Sequence, residues 1–370
     1  MTDTARPAGD RWDGEAGRPR RAAPPRRPTM RDIADRVGVS ASAVSFALNG
    51  RAGVSPATRA RVLRAAEQLG WVPDSAARAL SGERLGCVGL VLNRPARTLG
   101  VESFFLQLVS GVQEALSVRG TALMFQVVPD LDAECVLYRR WWGERRVDGV
   151  LMVDPRTDDP RPALLESLGF PAVAVGGLSG QGTASGEAAP ISTVWADDAA
   201  AMRSILGHLH RLGHRRIAHV AGLPELAHTE RRLHALREES VRLGLSPGDV
   251  CTVSADYSDA EGAEATRELL DRPQPPTAIV YDNDVMAVAG ASVAASRGLP
   301  VPGQLSIVAW DDSALCRVTH PALTALVRDT GGFGRLAAEE LLALLDGGPV
   351  RSVQAELPRL ELRESTAPPG

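Results

Sequence analysis

Two polar side chains follow apolar runs of the chain, at the points where predicted strands end. These side chains are Asn283 and Asp311. Ligands of doubly wound sheets bind beyond the carboxyl ends of their strands. Amide and carboxylate groups at that edge can hydrogen-bond the hydroxyls of a polyol. An aromatic ring such as Trp310 or Phe105 can stack on the apolar face of a sugar. The neighbouring carboxylates have a second interpretation as helix caps or polar contacts near a hinge: Asp282, Asp284 and Asp312.

Catalysis, cofactors and metal binding are not expected. The segment 282–284 lacks the glycine and terminal glutamate of a calcium-binding loop, and the chain has no Walker motif and no Gly-x-Ser-x-Gly motif. Helical spacing does not bring the candidate histidine ligands to one face. These histidines are His208, His210, His214 and His219.

Three short helical patterns between residues 29 and 72 predict one small helical unit. Met30–Val37 is followed by Gly38 as a stop signal, and Ser40 can cap a second helix, Ala41–Leu48. A third helix opens at Ser55-Pro56 and stops at Gly70. Helices joined by short turns in this way form a helix-turn-helix. The predicted inward faces are Ile33, Ala34 and Val37, then Val44, Ala47 and Leu48, then Val62, Leu63, Ala66 and Leu69.

The distribution of charge predicts that this helical unit binds a polyanion. Residues 1–85 hold 15 Arg against 9 acidic residues, a net charge of +6, whereas the remainder holds 26 Arg against 36 acids, a net charge of −10. A basic head on an acidic body favours nucleic acid as the partner of the head alone. Ser42 and Ser45 lie on the outer side of the second predicted helix, where they can face base edges.

From Leu85 onward, strand patterns alternate with helices of 10–15 residues. This alternation predicts right-handed βαβ units in two doubly wound parallel sheets. The fold class is therefore an all-α helix-turn-helix head plus an α/β body of two lobes. The predicted boundaries are a tail at 1–28, the head at 29–73, a hinge helix and linker at 74–84, a body at 85–363 and a tail at 364–370. Within the body, the first lobe covers about 85–200 and 328–350, and the second about 201–327 and 351–363.

Two segments outside these domains have open interpretations. Residues 1–28 are rich in Arg and Pro and are either a disordered leader or a basic arm that adds weak affinity for DNA. Asp74 can cap a helix of two turns that ends at Gly82, and such a helix is too short to be stable alone. That segment is either a plain linker or an element that folds only on a partner.

Targeting signals and cysteine spacing favour the cytoplasm. No run reaches the roughly 18 apolar residues that a membrane span needs, and the start of the chain lacks the apolar core of a secretory signal. Four widely spaced cysteines, with no Cys-x-x-Cys pair, suit a reducing compartment.

Several motifs at matching spacings closely resemble the lactose repressor (LacI/GalR) family of bacterial transcription regulators. In the head they run from Thr29-Met30-Arg31-Asp32-Ile33-Ala34 through Leu48-Asn49-Gly50 and Leu69-Gly70-Trp71-Val72-Pro73 to Ala77-Arg78-Ala79-Leu80. In the body they include Gly213-His214-Arg215-Arg216, Asn283-Asp284, Trp310-Asp311-Asp312 and Pro321-Ala322-Leu323-Thr324.

The resemblance implies a homodimer whose second helices enter the major groove of operator DNA. Base readout would come from Ala41, Ser42 and Phe46, and Phe46 can instead pack beneath the head. Ser55 and Thr58 can equally cap the third helix. The implied phosphate contacts are Ser40, Ser45, Asn49, Ser55, Thr58 and Arg59.

The resemblance also implies a DNA hinge and an effector site. Hinge residues Ala77, Arg78 and Leu80 would fold in the minor groove, where paired leucines kink the duplex. The body resembles periplasmic sugar-binding proteins, and Arg232 matches the effector-binding arginine of the family. In the family, an Asn-Pro pair often precedes the position of Phe104-Phe105. This chain lacks that pair, so the resemblance defines the first-lobe wall of the site less well.

The expected function is a sequence-specific transcriptional regulator, a repressor that a small molecule, most simply a carbohydrate, releases from a pseudo-palindromic operator. An activator or a corepressor-dependent regulator is the alternative within the family, and a solute-binding protein is the alternative outside it. The chain lacks leucine heptads after Leu345, so a dimer is expected rather than a tetramer.

Overall fold

The computed structural model describes residues 26–71, 84–94, 103–178 and 189–370. These residues belong to two compact units, one within 1–78 and the other within 79–370. The predicted hinge residues Ala77, Arg78 and Leu80, and the predicted tail up to residue 25, lie outside the described ranges. Among the described residues, no helix is long and apolar enough to cross a membrane.

The smaller unit is a bundle of three helices whose ends match the local sequence signals. Ser40 and Ser55 cap the second and third helices, because each hydroxyl accepts a hydrogen bond from the amide three residues on. Gly38 and Gly70 end the first and third helices in the left-handed region, at φ +71° and +63°. The helices are α1 (Met30–Val37), α2 (Ala41–Leu48) and α3 (Pro56–Leu69).

The core of this unit corrects one part of the predicted pattern. Leu63 was expected to face inward, but its side chain is 48% exposed. The third helix instead buries Val62, Ala65 and Ala66, so its inward face is rotated relative to the prediction. Small alanines at these positions let the three short helices approach closely.

The larger unit contains two sheets, as the alternating pattern predicted, and each sheet has six strands. The first sheet has the strand order β11-β5-β4-β3-β1-β2, and its strands are parallel. Its strands are β1 (Cys87–Leu92), β2 (Ala122–Val127), β3 (Gly149–Val153), β4 (Ala172–Val175), β5 (Ser192–Trp195) and β11 (Ser352–Gln354).

The second sheet has the order β12-β10-β9-β8-β6-β7, and only β12 runs antiparallel to its neighbour. Three of its six strands, β6, β8 and β9, are completely buried, which explains their largely apolar sequences. The strands are β6 (Ile217–Ala221), β7 (Val250–Ser254), β8 (Ala278–Tyr281), β9 (Ser306–Ala309), β10 (Thr324–Val327) and β12 (Arg359–Glu361).

Helices cover both faces of each sheet, and each face has its own apolar core. The first lobe contains α4 (Ser103–Val118), α5 (Leu131–Gly143), α6 (Arg161–Leu168) and α12 (Thr330–Leu345). The second contains α7 (Asp198–Leu212), α8 (Ala227–Arg242), α9 (Asp259–Leu270), α10 (Asp284–Ser296) and α11 (Ala314–Val318).

The chain passes between the lobes three times, and the last passage differs from the prediction. Residues 351–363 were assigned to the second lobe, but Ser352–Gln354 pairs with β5 of the first lobe. The chain therefore crosses between β11 and β12. Residues 364–370 were expected to form a tail. Instead, Ser365 is buried in the second lobe, where its hydroxyl donates to the Ile307 carbonyl at 2.6 Å and accepts from the Thr324 amide at 2.8 Å.

Candidate functional sites: helix α2 and the interlobe cleft

The outer face of α2 carries the residues that were expected to read bases. Ala41 and Ser42 are exposed at its first turn. The Phe46 side chain is 39% exposed, and one edge of its ring rests against Gly53. A Cβ atom at position 53 would lie 3.3 Å from that ring, and the backbone there has φ +110°. Phe46 is thus partly packed against the turn and partly open to solvent.

The expected phosphate-contacting residues also have structural partners within the head. The Ser55 hydroxyl accepts from the Thr58 amide at 3.2 Å and lies 2.9 Å from the Thr58 hydroxyl. Arg59 donates to the Arg51 carbonyl at 2.6 Å, which ties the loop before α3 to that helix. Asn49 donates to the Ser45 hydroxyl at 3.4 Å. These bonds position the ends of α2 and α3, and helix starts can bind phosphate through their free amides.

A cleft lies between the two lobes, at the carboxyl ends of strands from both sheets. The cleft lies at the sheet edges where the strand-end rule places a ligand. Phe105, Arg232, Asn283 and Asp311 all line the cleft, so the fold brings together four of the five residues expected to bind the effector.

Trp310 is the exception, and its expected role as a sugar-stacking ring needs correction. Its side chain is only 1% exposed and does not line the cleft. The Arg232 guanidinium carbon lies 3.9 Å from the centre of the Trp310 ring and covers it. Trp310 therefore supports the cleft arginine from below.

Arg232 is held by charged groups as well as by this ring. Its Nε donates to Asp198 at 3.3 Å, and its Nη1 lies 3.1 Å from a carboxylate oxygen of Asp282. Burial by itself would lower the pKa of Arg232, but Asp282 and Asp198 raise it above its usual value. The guanidinium is therefore a permanently charged donor with a defined orientation.

Asn283 and Asp311 each have a protein partner in the cleft. The Asn283 side-chain oxygen caps α10 by accepting from the Met286 amide at 2.8 Å, and its amide nitrogen donates to the Tyr257 carbonyl at 2.9 Å. Asp311 pairs with Arg328, whose guanidinium lies over the ring of Phe104 at 4.5 Å. The capping interpretation thus applies to Asn283 itself.

Arg94 is a cleft residue that the sequence reasoning missed. It lies beyond the end of β1, so the strand-end rule could have found it. Its Nε donates to Asp154 at 2.6 Å in the first lobe. Its guanidinium carbon lies 4.4 Å from the centre of the Tyr257 ring in the second lobe. Asp154 and Tyr257 both have left-handed backbone conformations, at φ +50° and +70°, which are sparsely populated outside functional or strongly supported positions.

Backbone hydrogen bonds join the lobes beside Arg94. The Ala227 amide donates to the Pro155 carbonyl at 2.8 Å, and the Thr157 amide donates to the Glu225 carbonyl at 3.0 Å. Residue 227 begins α8, the helix that carries Arg232. The first lobe therefore directly contacts the start of the helix that carries Arg232.

A buried ionic cluster supports the Asp154 turn from behind. Arg161 donates to the carbonyls of Val153 and Asp154, at 3.0 and 2.8 Å. The same guanidinium pairs with Glu134 at 2.8 Å and with Asp159 at 2.7 Å. Burial raises the pKa of Glu134, and the Arg161 charge opposes that rise. This cluster holds the unusual turn that points toward the cleft.

The histidines that were set aside as metal ligands have separate partners. His208 lies 3.2 Å from the Thr366 hydroxyl, and His214 lies 2.9 Å from the Thr277 hydroxyl. His219 lies 2.9 Å from Asp282. No group of three or more potential ligands suited to a metal ion occurs in the part of the chain that the structure describes.

Sequence comparisons identify the family of this chain. Residues 29–74 match the model of bacterial regulatory proteins of the lacI family, and residues 206–366 match a periplasmic binding protein-like domain. The HTH-type transcriptional regulator CelR of Thermobifida fusca is 34% identical over 92% of this chain and 98% of its own length. Catabolite control protein A of Priestia megaterium is 28% identical over 91% of this chain and 99% of its own. The chain belongs to the LacI family.

Solved structures agree with this assignment. A CelR–cellobiose complex is 32% identical, with a TM-score of 0.67 over 92% of this chain and 100% of that chain. A LacI-family regulator from Bifidobacterium animalis subsp. lactis is 37% identical, with a TM-score of 0.69 over 78% of this chain and 100% of that chain. The lac repressor dimer bound to operator shares the fold, with a TM-score of 0.79 and 24% identity over 92% of this chain and 100% of that chain. This LacI-family protein is a transcriptional regulator with a DNA-binding helix-turn-helix head and an effector-binding body.

Proposed function

We propose that this regulator is a cytoplasmic, homodimeric repressor that leaves a pseudo-palindromic operator when a neutral carbohydrate binds between its lobes. The observation that carries the carbohydrate assignment is Arg232, whose guanidinium carbon lies 3.9 Å from the centre of the Trp310 ring and which is flanked by aspartates. Such a donor, with carboxylate acceptors nearby, suits a ligand rich in hydroxyl groups. The cellobiose complex of the relative CelR supports the same ligand class.

The charge of the cleft supports a neutral ligand rather than an anionic one. Five aspartates and three arginines line it, and burial raises the pKa of Asp284, so negative charges exceed positive ones by one or two. These residues are Asp154, Asp198, Asp282, Asp284 and Asp311, with Arg94, Arg232 and Arg328. A sugar acid or sugar phosphate would enter a site that already holds more anions than cations, at a cost in Coulomb energy.

A pair of matched probes tests this assignment. Isothermal titration calorimetry with cellobiose and with cellobiouronate compares two ligands that keep both sugar rings and differ in charge, because a carboxylate replaces one hydroxymethyl group. We expect cellobiose to bind and cellobiouronate to bind at least about tenfold more weakly, equivalent to roughly 1.4 kcal/mol. Equal affinity for the two probes contradicts the neutral-ligand proposal, and so does tighter binding of the acid.

For DNA, we propose that Ala41, Ser42 and Phe46 contact base edges, with phosphate contacts from both helix starts. The exposed part of Phe46 can pack against a thymine methyl group. Of the three residues, only Ser42 has a polar side chain that can hydrogen-bond a base edge. Specificity then depends more strongly on the shape and deformability of the operator.

The minor-groove hinge at Ala77, Arg78 and Leu80 remains a proposal from the family resemblance. Gel-shift and circular-permutation bending assays with Leu80→Ala test it. We expect weaker operator binding and a smaller bend, because without the leucine wedge the duplex is not kinked and the protein contacts that depend on bent DNA are lost. Unchanged affinity together with an unchanged bend angle refutes the wedge. Tighter operator binding with cellobiose present would identify the sugar as a corepressor rather than an inducer.

Exposed apolar side chains support the homodimer proposal. Leu106 on α4 and Phe125 on the edge strand β2 are exposed in the first lobe, and Leu315 and Val318 on α11 are exposed in the second. Contiguous patches of exposed apolar side chains are typical of interfaces between subunits, and we propose that these four residues contribute to such patches. We expect light scattering to give twice the chain mass of 39.2 kDa, and a tetramer mass contradicts the dimer.

A further inference from the structure

A histidine and an aspartate form a buried polar pair within the apolar second sheet. His219 is the one polar residue of β6, whose other members are Ile217, Ala218, Val220 and Ala221. Asp282 follows β8, the strand that pairs with β6. The side chains of both residues are completely buried. Apolar residues of similar volume would commonly give equal or greater stability at such a place, so folding alone does not account for the pair.

The Asp282 carboxylate is fixed by two groups that belong to β6 and its end. One oxygen lies 2.9 Å from His219 Nε2, and the other accepts from the Gly222 amide at 2.8 Å. Gly222 also has no room for a side chain, because a Cβ atom would lie 1.9 Å from the Tyr257 ring. The carboxylate therefore has little freedom to rotate.

The same carboxylate contacts the effector-site arginine. Arg232 Nη1 lies 3.1 Å from the oxygen that also meets His219. Asp198 accepts a hydrogen bond from Arg232 Nε, and the Trp310 ring lies against the guanidinium. Arg232 Nη2 donates no hydrogen bond to any of the described residues. Because Arg232 lines the cleft, this nitrogen can donate to a ligand.

We infer that Asp282, itself oriented by His219 and the Gly222 amide, is a positioning residue that sets the direction in which Arg232 donates to the effector. A flexible arginine loses rotamer entropy when it binds, and a guanidinium held in place beforehand avoids that loss. This inference rests on the proposed binding of the effector at Arg232.

The protonation state of Asp282 is consistent with this geometry. Burial by itself would raise its pKa, but Arg232, His219 and the Gly222 amide hold the pKa well below the usual range. The carboxylate is therefore charged at neutral pH, where it accepts from Arg232.

Two conservative substitutions and one matched control test the inference in the full chain. Asp282→Asn keeps the shape of the side chain and removes its charge, whereas His219→Gln removes one support of the carboxylate. Tyr281→Phe is the control, because Tyr281 is the neighbouring residue, is equally buried, and loses a 2.8 Å hydrogen bond to Thr266 without touching the cleft. The readouts are the cellobiose Kd, operator affinity without sugar, and crystal structures of the variants and the unsubstituted protein.

We expect Asp282→Asn to raise the cellobiose Kd about 10- to 100-fold, the range for a lost hydrogen bond to a charged group. We expect a smaller rise for His219→Gln and less than about a threefold change for Tyr281→Phe. Operator affinity without sugar stays unchanged in Tyr281→Phe, and the Asp282→Asn crystal structure shows Arg232 moved from its position over Trp310. Arg232 at its original position, or an equal loss of sugar affinity in the control, overturns the inference.

Failure of the carbohydrate proposal gives a different result. In that case cellobiose and related neutral sugars do not bind the unsubstituted protein at all. The crystal structures then decide the positioning role by themselves: a displaced Arg232 in Asp282→Asn supports it, and an unmoved Arg232 refutes it.

Discussion

Arg94 links the two lobes across the cleft, and its removal is expected to loosen them. It follows β1 in the first lobe and lies over the Tyr257 ring of the second lobe at 4.4 Å. Arg94→Met keeps most of the side-chain volume and removes the charge. The substitution therefore deletes the cation–π contact between lobes, together with the ion pair to Asp154 at 2.6 Å.

The size of the effect follows from burial. Arg94 is 7% exposed, and a cation–π contact shielded from water contributes about 2 kcal/mol. Because a factor of ten corresponds to about 1.4 kcal/mol, the loss increases the population of separated lobes about 30-fold. The ion pair with Asp154 lies within the first lobe and adds little to this difference.

Hydrogen exchange of the backbone amides that bond across the cleft measures this population. The Ala227 amide donates to Pro155 and the Thr157 amide donates to Glu225, so both exchange only when these interlobe bonds open. Mass spectrometry of peptides that cover residues 155–159 and 225–228 reports their rates. We expect exchange about 30-fold faster in Arg94→Met than in the unsubstituted protein.

Arg119→Met is the matched control. Arg119 is an arginine of the same lobe that pairs with Asp346 in an exposed ion pair, and such pairs contribute about 0–1 kcal/mol. We expect interlobe exchange within about threefold of the unsubstituted rate in this variant. Equal rates in Arg94→Met and the unsubstituted protein would refute the assigned role of Arg94.

Three further predictions concern stability and assembly. Arg161→Met lowers the free energy of unfolding of the body by about 3–5 kcal/mol in urea titrations, because Glu134 becomes a buried charge without its partner at 2.8 Å; a loss below about 1 kcal/mol contradicts this. Burial lowers the pKa values of His214 and His228, so the unfolded chain binds protons that the folded chain does not. Unfolding free energy therefore falls as the pH drops below about 6.5, and equal stability at pH 7.5 and 5.5 refutes the assignment. Phe125→Glu places a charge on an exposed apolar edge strand and is expected to shift light-scattering mass toward the monomer, and an unchanged dimer excludes this strand from the interface.

Local signals account for how well the head could be predicted. The second and third helices begin at hydroxyl caps, the first and third end at left-handed glycines, and these signals lie within a few residues of the elements that they delimit. Leu63 shows the limit of such reasoning, because helical spacing allowed either Leu63 or Ala65 to face inward. In the structure, Ala65 packs with residues of α1 and α2, so Ala65 rather than Leu63 is buried.

In the body, the strand-end rule placed the cleft but did not assign the role of each side chain. Asn283 lines the cleft and also caps α10, and Trp310 lies beneath Arg232 rather than on the wall. The short strand β5 was not predicted, and β11 was assigned to the wrong lobe, because a strand of three or four residues has too little pattern to identify its sheet.

The sequence by itself determined the family, the helix-turn-helix, the two doubly wound sheets and the sheet edge at which the cleft lies. These properties follow from apolar periodicity and from capping residues that act within one element. Only the tertiary structure decided that Arg94 reaches Tyr257 and that His219 and Asp282 orient Arg232. These contacts join residues that are up to 163 positions apart, and the distance between such residues depends on how the sheets and lobes pack rather than on any local pattern.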